Sequence, residues 1–125
     1  STYSCRGASF EPSYDALWSI AHPSNPEGLD WRPNAHPYVI MIGDEEAQSF
    51  VNRTETEVAQ HYINCMIGDC VIGDFIESFV VTQPYYFEQY DEITYNDSAR
   101  MFEIEPSSEE HYLEIFRSIF SGVCR

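Results

Sequence analysis

The chain has 125 residues, which suits one domain, and 43% of them are hydrophobic, which is enough material for a core. Its formal net charge is −15, with six arginines and no lysine, so it lacks the basic patch that nucleic acid or an anionic membrane surface requires. The same negative field favours cationic partners, above all metal ions. No apolar run approaches the ~18 residues that span a membrane, and no signal peptide is visible.

The first predicted element is a helix that begins at Glu11-Pro12, because proline suits the first helical position. Its apolar face has the spacing i, i+3, i+4, i+7 and consists of Tyr14, Leu17, Trp18 and Ala21. Negative charge is favoured at a helix entrance, which is where Glu11 lies. His22-Pro23 ends the helix, and a proline-rich loop then runs to residue 37.

The continuous apolar run Tyr38–Ile42 predicts a strand that is buried on both faces of a parallel sheet. Gly43-Asp44-Glu45-Glu46 follows directly, at the carboxyl end of the strand, where open α/β sheets bind their ligands. A cluster of hard oxygen donors at this position suggests a divalent cation site. An ordinary acidic turn is the alternative.

Downstream of this turn, Thr54-x-x-Glu57 is a capping box that predicts a second helix. Val58, Tyr62, Cys65 and Met66 share one face of that helix, and Gly68 ends it. A second strand is predicted over Ile76–Thr82 and a short helix over Tyr85–Asp91.

A third strand, nearer an edge because of its charge, is predicted over Met101–Ile104. Ser107-x-x-Glu110 is a second capping box, and it predicts a final helix that ends at Gly122. The apolar residues expected on one side of that helix are Tyr112, Leu113, Phe116, Ile119 and Phe120.

Helices and strands alternate along the whole chain, which predicts an α/β fold: an open, doubly wound, mostly parallel sheet flanked by helices. Three strands make a thin sheet, since such folds usually have about five or six. We therefore expect residues 1–125 to be the C-terminal portion of a larger α/β domain whose first strand or strands are missing from this chain. The remainder is expected upstream in the same precursor or in another chain.

The four cysteines, Cys5, Cys65, Cys70 and Cys124, have no metal-binding spacing. An even count favours two disulfides, in which Cys65 and Cys70 close a small loop and Cys5 and Cys124 join the two ends. This predicts an oxidising compartment, namely an extracellular, cell-surface or periplasmic location. Reduced, buried cysteines are the alternative. The glycosylation sequons at Asn52 and Asn96 matter only in a eukaryotic source.

Several segments together resemble a known family. The segment Gly7-Ala8-Ser9-Phe10-Glu11-Pro12-Ser13-Tyr14-Asp15-Ala16-Leu17 resembles the second motif region of von Willebrand factor A domains, most closely the I-like domain of integrin β subunits. The Trp31-Arg32 pair, followed by an apolar strand that ends in Asp44, is similar to the integrin β pattern. The resemblance runs from about Gly7 to Cys124.

The resemblance implies a metal-ion-dependent adhesion site at the top of the sheet, where a bound cation accepts a carboxylate from a partner. Asp44 would match the aspartate after the fourth strand, and Glu11 would match the acid that integrin β domains use. Ser9 is a further candidate ligand, and Glu45 and Glu46 are candidates for the outer coordination sphere. The implied ion is Mg²⁺ or Ca²⁺, with Mn²⁺ as a further option. The Asp-x-Ser-x-Ser motif of the family does not occur in the sequence.

The sequence is compatible with three functions. The first is a cell-surface or secreted adhesion and protein-interaction module whose protein ligand or receptor supplies an acidic residue. The second is a similar interaction domain with a degenerate metal site. The third is a metal-dependent hydrolase that would use Asp44, Glu11 and a histidine. The histidines form no HExxH motif, and no GxSxG, P-loop or GxGxxG motif occurs. The chain is therefore expected not to be an enzyme.

Overall fold

A computed structural model describes residues 11–21, 36–66, 76–105 and 108–123 of the chain. At Ala21, residues 63–66, Gly122 and Val123 only the main chain is described. Several predictions lie outside these residues: the site residue Ser9, the Trp31-Arg32 loop and both disulfides, since the side chain of Cys65 is not described either.

The described residues form alternating helices and one sheet, as the sequence predicts. The α-helices are α1 (Ser13–Ala21), α2 (Glu55–Met66) and α3 (Glu109–Val123). The strands are β1 (Tyr38–Ile42), β2 (Glu77–Thr82) and β3 (Met101–Glu103). Two 3₁₀ helices, Pro84–Tyr90 and Ser98–Arg100, connect β2 to β3. The segment predicted as a short helix after β2 is therefore helical, with the tighter 3₁₀ geometry that proline at its start permits.

The sheet is open and entirely parallel, with the strand order β1-β2-β3. This confirms the predicted α/β class, although the described sheet is small. Tyr38 pairs with Glu77 at one end of the β1–β2 ladder, and Ile42 pairs with Val81 at the other. The carboxyl ends of β1 and β2 therefore meet at one edge of the sheet.

Helices cover both faces of the sheet. On one face α1 and α2 pack against the strands around a core that includes Leu17, Val58, Tyr62 and Val80. On the other face α3 packs against Phe79 and Val81 through Ile115 and Ile119. Successive side chains of β2 pack alternately into the two cores, which explains why this strand is almost fully buried.

β1 is less buried than its apolar sequence predicts. It lies at an edge of the described sheet and pairs with β2 alone there. Val39 is buried, but 50% of Ile42 is exposed. The prediction of a strand buried on both faces is therefore only partly correct, because a continuous apolar run does not reveal how many neighbouring strands are present.

The expected apolar side of α3 is wrong at two positions. Ile115 and Ile119 face the sheet, with Tyr112 and Phe116 partly buried beside them. Leu113 and Phe120 are 46% and 55% exposed. Apolar residues extend over so much of this helix that spacing alone does not identify the face that meets the sheet.

One of the two predicted helix caps is confirmed. Thr54 caps α2 as predicted, since its Oγ1 accepts a hydrogen bond from the Glu57 N–H at 3.2 Å. At α3 the cap is Ser108, whose Oγ accepts from the His111 N–H at 3.2 Å. The predicted cap, Ser107, lies outside the described residues, and the helix begins at Glu109, one position after Ser108.

Candidate functional site

The acidic turn after β1 lies at the carboxyl edge of the sheet, as the sequence predicts. The Gly43 N–H donates to the Val81 carbonyl at 3.0 Å, so the ladder between β1 and β2 continues one residue beyond β1. The Gln83 side-chain amide donates to the Asp44 carbonyl at 2.9 Å. Backbone contacts thus hold the turn against the end of β2.

The entrance of α1 is bound to the segment that follows this turn. The Glu11 N–H donates to Oε1 of Gln48 at 3.2 Å, and the Tyr14 N–H donates to the carbonyl of Gln48 at 3.2 Å. Tyr14 in turn donates its hydroxyl to the Gln89 carbonyl at 2.6 Å. Because these contacts join three segments, the position of Glu11 relative to β1 is fixed by the fold.

Glu11 and Asp44 lie close together at this edge. The Asp44 carboxyl, the Glu45 charge and the Glu45 backbone N–H all act on the Glu11 carboxyl, so these groups lie close together. Gly43 leaves the space that Glu11 uses, because a Cβ at Gly43 would lie 3.2 Å from Oε2 of Glu11. The absence of a side chain at Gly43 therefore lets the carboxylate lie directly over the end of β1.

The surroundings of the Glu11 carboxyl disfavour its ionised form. Partial burial raises the pKa of the Glu11 carboxyl above its usual value of 4.5, and the charges of Asp44 and Glu45 raise it further. The hydrogen bond to Asp44 acts in the same direction, whereas the Glu45 N–H lowers the pKa. Glu11 is thus a carboxyl group that would gain from a proton or from a cation.

The other predicted site residues in the described ranges are Glu45 and Glu46. The Glu45 side chain is half-buried, and the exposed Glu46 carboxylate accepts from the Gln48 amide at 3.1 Å. Across the described ranges, no group of three or more His, Cys, Asp or Glu side chains converges as metal ligands would. The described donor set is therefore two carboxylates, a number that Mg²⁺ accepts when waters complete its octahedron.

A second polar cluster is centred on the Asp15 carboxylate, and the sequence does not predict it as a site. Asp15 accepts from the Ser49 hydroxyl at 2.6 Å, the Phe50 N–H at 2.7 Å and the Arg53 guanidinium at 2.6 Å. Arg53 also lies over the ring of Trp18, at 4.0 Å from its centroid. Burial raises the pKa of Asp15, but these hydrogen bonds and the Arg53 charge outweigh it and the net pKa is lowered.

The role of the Asp15 cluster is structural. It ties α1 to the segment after the acidic turn, and so supports the contact between Glu11 and Asp44. In the sequence its partners lie 34 to 38 positions from Asp15, and no local spacing pattern identifies such a pair.

A third charged cluster lies at the opposite, amino end of β2. Glu77 accepts from Arg100 at 2.7 Å and pairs with His36 at 3.1 Å. Burial opposes its charge, but hydrogen bonds from Arg100 and His36 lower the pKa of Glu77 overall. This cluster joins the start of β1, β2 and the segment before β3, and it is remote from Asp44 because the strands are parallel.

Comparison of the chain with protein families, curated proteins and solved structures finds no match. None of the helices in the described ranges has both the length and the apolar character needed to cross a membrane.

Proposed function

We propose that this chain is the C-terminal portion of a von Willebrand factor A-like interaction module. In this proposal it acts at the cell surface or as a secreted protein and binds a partner carboxylate through Mg²⁺ or Ca²⁺. The single observation that supports it is the contact between Glu11 and Asp44 at the carboxyl end of β1. The sheet edge is the position where open α/β folds bind ligands.

A cation is the ligand that suits this pair best. Two carboxyls in contact repel each other when both are ionised, and burial adds to the cost at Glu11. A divalent ion would offset the repulsion between the two carboxylates and the unfavourable burial of the Glu11 charge. The net charge of −15 would also concentrate cations near the protein. Two protein carboxylates leave open positions on Mg²⁺ that waters or the carboxylate of a partner can fill.

The outer edge of β1 supports the idea of a larger domain. The Pro37 carbonyl and the Gly43 N–H both bond to β2, at 3.1 and 3.0 Å, so backbone groups at odd positions between them face β2. Ile40 and Ile42 therefore direct their backbone groups away from it. We propose that a further strand, from additional polypeptide of the same domain or precursor, pairs with this apolar edge.

The test is calorimetric titration of the 125-residue chain with Mg²⁺, Ca²⁺ and Mn²⁺, beside Asp44→Asn and the exposed-site control Glu88→Gln. Saturable uptake that Asp44→Asn removes and Glu88→Gln retains is the expected result. A peptide with one aspartate should then bind only in the presence of the cation, and its Asp→Asn counterpart should not. If the chain takes up none of the three ions, the proposal is wrong.

A second candidate is an interaction domain whose metal site is degenerate. The raised pKa of the Glu11 carboxyl beside Asp44 favours it, because a shared proton can replace a cation in holding two carboxyls together. In that case partner binding would be insensitive to chelation by EDTA and would weaken as the pH rises and the proton is lost. No contact of the described residues favours the hydrolase alternative, so we propose a non-catalytic role.

A further inference from the structure

A buried hydroxyl at the end of β2 lacks a hydrogen bond. Thr82 is fully buried, and among the described residues its Oγ1 has no hydrogen-bond partner. The other buried hydroxyls of this kind are satisfied: Ser78 donates to the Ile93 carbonyl at 2.9 Å and Thr94 to the Tyr90 carbonyl at 3.0 Å. An unsatisfied buried hydroxyl is unfavourable and calls for an explanation.

The register of the sheet places Thr82 beside Gly43. Ile42 pairs with Val81, and the Gly43 N–H bonds to the Val81 carbonyl, so the next step along the ladder brings Gly43 and Thr82 side by side. Both positions lie at the carboxyl edge, where the Glu11–Asp44 pair is found.

Thr82 and Glu11 also lie on the same face of the sheet. Val80 packs into the core formed with α1 and α2, and alternation along β2 directs Thr82 to that face. A Cβ at Gly43 would point to this face too, since it would lie 3.5 Å from Sδ of Met41, which packs against the same core. Oε2 of Glu11 lies 3.2 Å from that Cβ position. The register and the alternation of side chains thus place Thr82 and Glu11 on the same face of the sheet, at the carboxyl ends of adjacent strands.

We propose that Oγ1 of Thr82 is the third oxygen donor to the cation held by Glu11 and Asp44. This inference rests on the proposed function, and it assigns a ligand that is neutral and comes from β2. A threonine hydroxyl is a hard oxygen donor of the kind that Mg²⁺ and Ca²⁺ accept beside carboxylates. The ion would satisfy the orphan hydroxyl and neutralise the acidic pair at once.

The experiment compares Thr82→Val, which keeps the side-chain shape and removes the oxygen, with Thr82→Ser, which keeps the oxygen. Mg²⁺ and Mn²⁺ affinities of the full 125-residue chain are measured by calorimetry. Thr82→Val should weaken cation affinity by about tenfold or more, and Thr82→Ser should stay close to the wild type. Since Thr82→Val removes an unsatisfied hydroxyl, its melting temperature in EDTA should be unchanged or higher.

Thr94→Val is the matched control. It makes the same substitution at a buried threonine whose hydroxyl is already satisfied, so it should lower stability and leave cation affinity unchanged. If Thr82→Val binds Mg²⁺ as the wild type does, the role of Thr82 is wrong and the Glu11–Asp44 site stands. If the wild-type chain takes up no cation at all, both proposals are wrong.

Discussion

Glu11, at the entrance of α1, and Asp44, directly after β1, place their carboxyl groups close together at the carboxyl edge of the sheet. Gly43 leaves room for the Glu11 carboxylate, since a Cβ there would lie 3.2 Å from Oε2 of Glu11, and Gln48 accepts from the Glu11 N–H at 3.2 Å. The fold thus maintains an arrangement that is electrostatically unfavourable when both groups are ionised. Perturbed pKa values of this kind cluster at functional sites.

Replacement of Glu11 by glutamine should stabilise the protein at neutral pH in the absence of metal. The folded-state pKa of Glu11 is raised above 4.5, so ionisation costs folding free energy once the pH exceeds the unfolded-state value. Below that pH the group is protonated in both states and the cost vanishes. Thermal melts in EDTA should show Glu11→Gln more stable than wild type at pH 7 and equal to it below pH 4.

Glu88→Gln is the control for this comparison, since Glu88 is exposed. It should leave the pH dependence of stability unchanged. A Glu11→Gln variant that is less stable than wild type at pH 7 would show that the Glu11 carboxylate contributes net stabilising contacts, contrary to the raised pKa. The same variant should lose cation binding if the proposed site is correct.

Gly43→Ala should separate stability from cation binding. The new Cβ would lie 3.2 Å from Oε2 of Glu11 and 3.5 Å from Sδ of Met41, so the flexible Glu11 carboxylate must move by a few tenths of an ångström. Alanine also reduces the conformational entropy of the unfolded chain, which contributes about 0.4–1 kcal/mol in favour of folding where the backbone conformation suits it. We expect a small change in the free energy of unfolding and a several-fold loss of Mg²⁺ affinity. Unchanged affinity would mean that the position of Glu11 is unimportant for the ion.

The sequence predicts the elements of this fold well, because its local signals are strong. The run Tyr38–Ile42 becomes β1 with the predicted bounds, and Thr54 caps α2. The family resemblance implies that Glu11 and Asp44 share a site, and in the structure the two carboxyl groups lie close together. The bounds of β1 and the cap of α2 are predicted correctly for the same reason: each depends on a short segment whose conformation its own residues determine.

The predictions from sequence fail where packing between distant segments determines the structure. Leu113 and Ile115 are both apolar residues of α3, and only the position of the sheet makes Ile115 the buried one. Asp15 and Arg53 form an ion pair across 38 positions of sequence, so spacing carries no information about it. The unsatisfied hydroxyl of Thr82 likewise becomes visible only when β1 and β2 are placed side by side.

The Asp15–Arg53 pair should be a strong link between α1 and the segment after the acidic turn. Hydrogen bonds to a charged group contribute about 1.5–3 kcal/mol, and Asp15 accepts one from Arg53 in addition to those from Ser49 and Phe50. Asp15→Ala should therefore lower the free energy of unfolding by about 2 kcal/mol in urea titrations. A double-mutant cycle with Arg53→Met isolates the ion pair from the contact that Arg53 makes with Trp18.

The same pair gives a pH dependence of opposite sign to that of Glu11. The pKa of Asp15 is lowered in the folded state from 3.8, so its stabilisation is complete above that value and is lost as the pH falls through the folded-state pKa. The difference in stability between wild type and Asp15→Ala should therefore shrink in acid. A constant difference between pH 7 and pH 2.5 would contradict the conclusion that the ionised Asp15 carboxylate makes the stabilising contacts.

The orientation of α3 can be tested with two alanine substitutions two positions apart. Ile115 is 4% exposed and packs against the β2 face that carries Phe79 and Val81, so Ile115→Ala should lower the free energy of unfolding by about 3 kcal/mol. Leu113 is 46% exposed, and Leu113→Ala should change it by only about 0.5 kcal/mol. Urea titration of both variants measures the two values under identical conditions. Equal losses would mean that the flank of α3 bearing Leu113 is also covered, and a larger loss at Leu113 would restore the face that the sequence alone predicts.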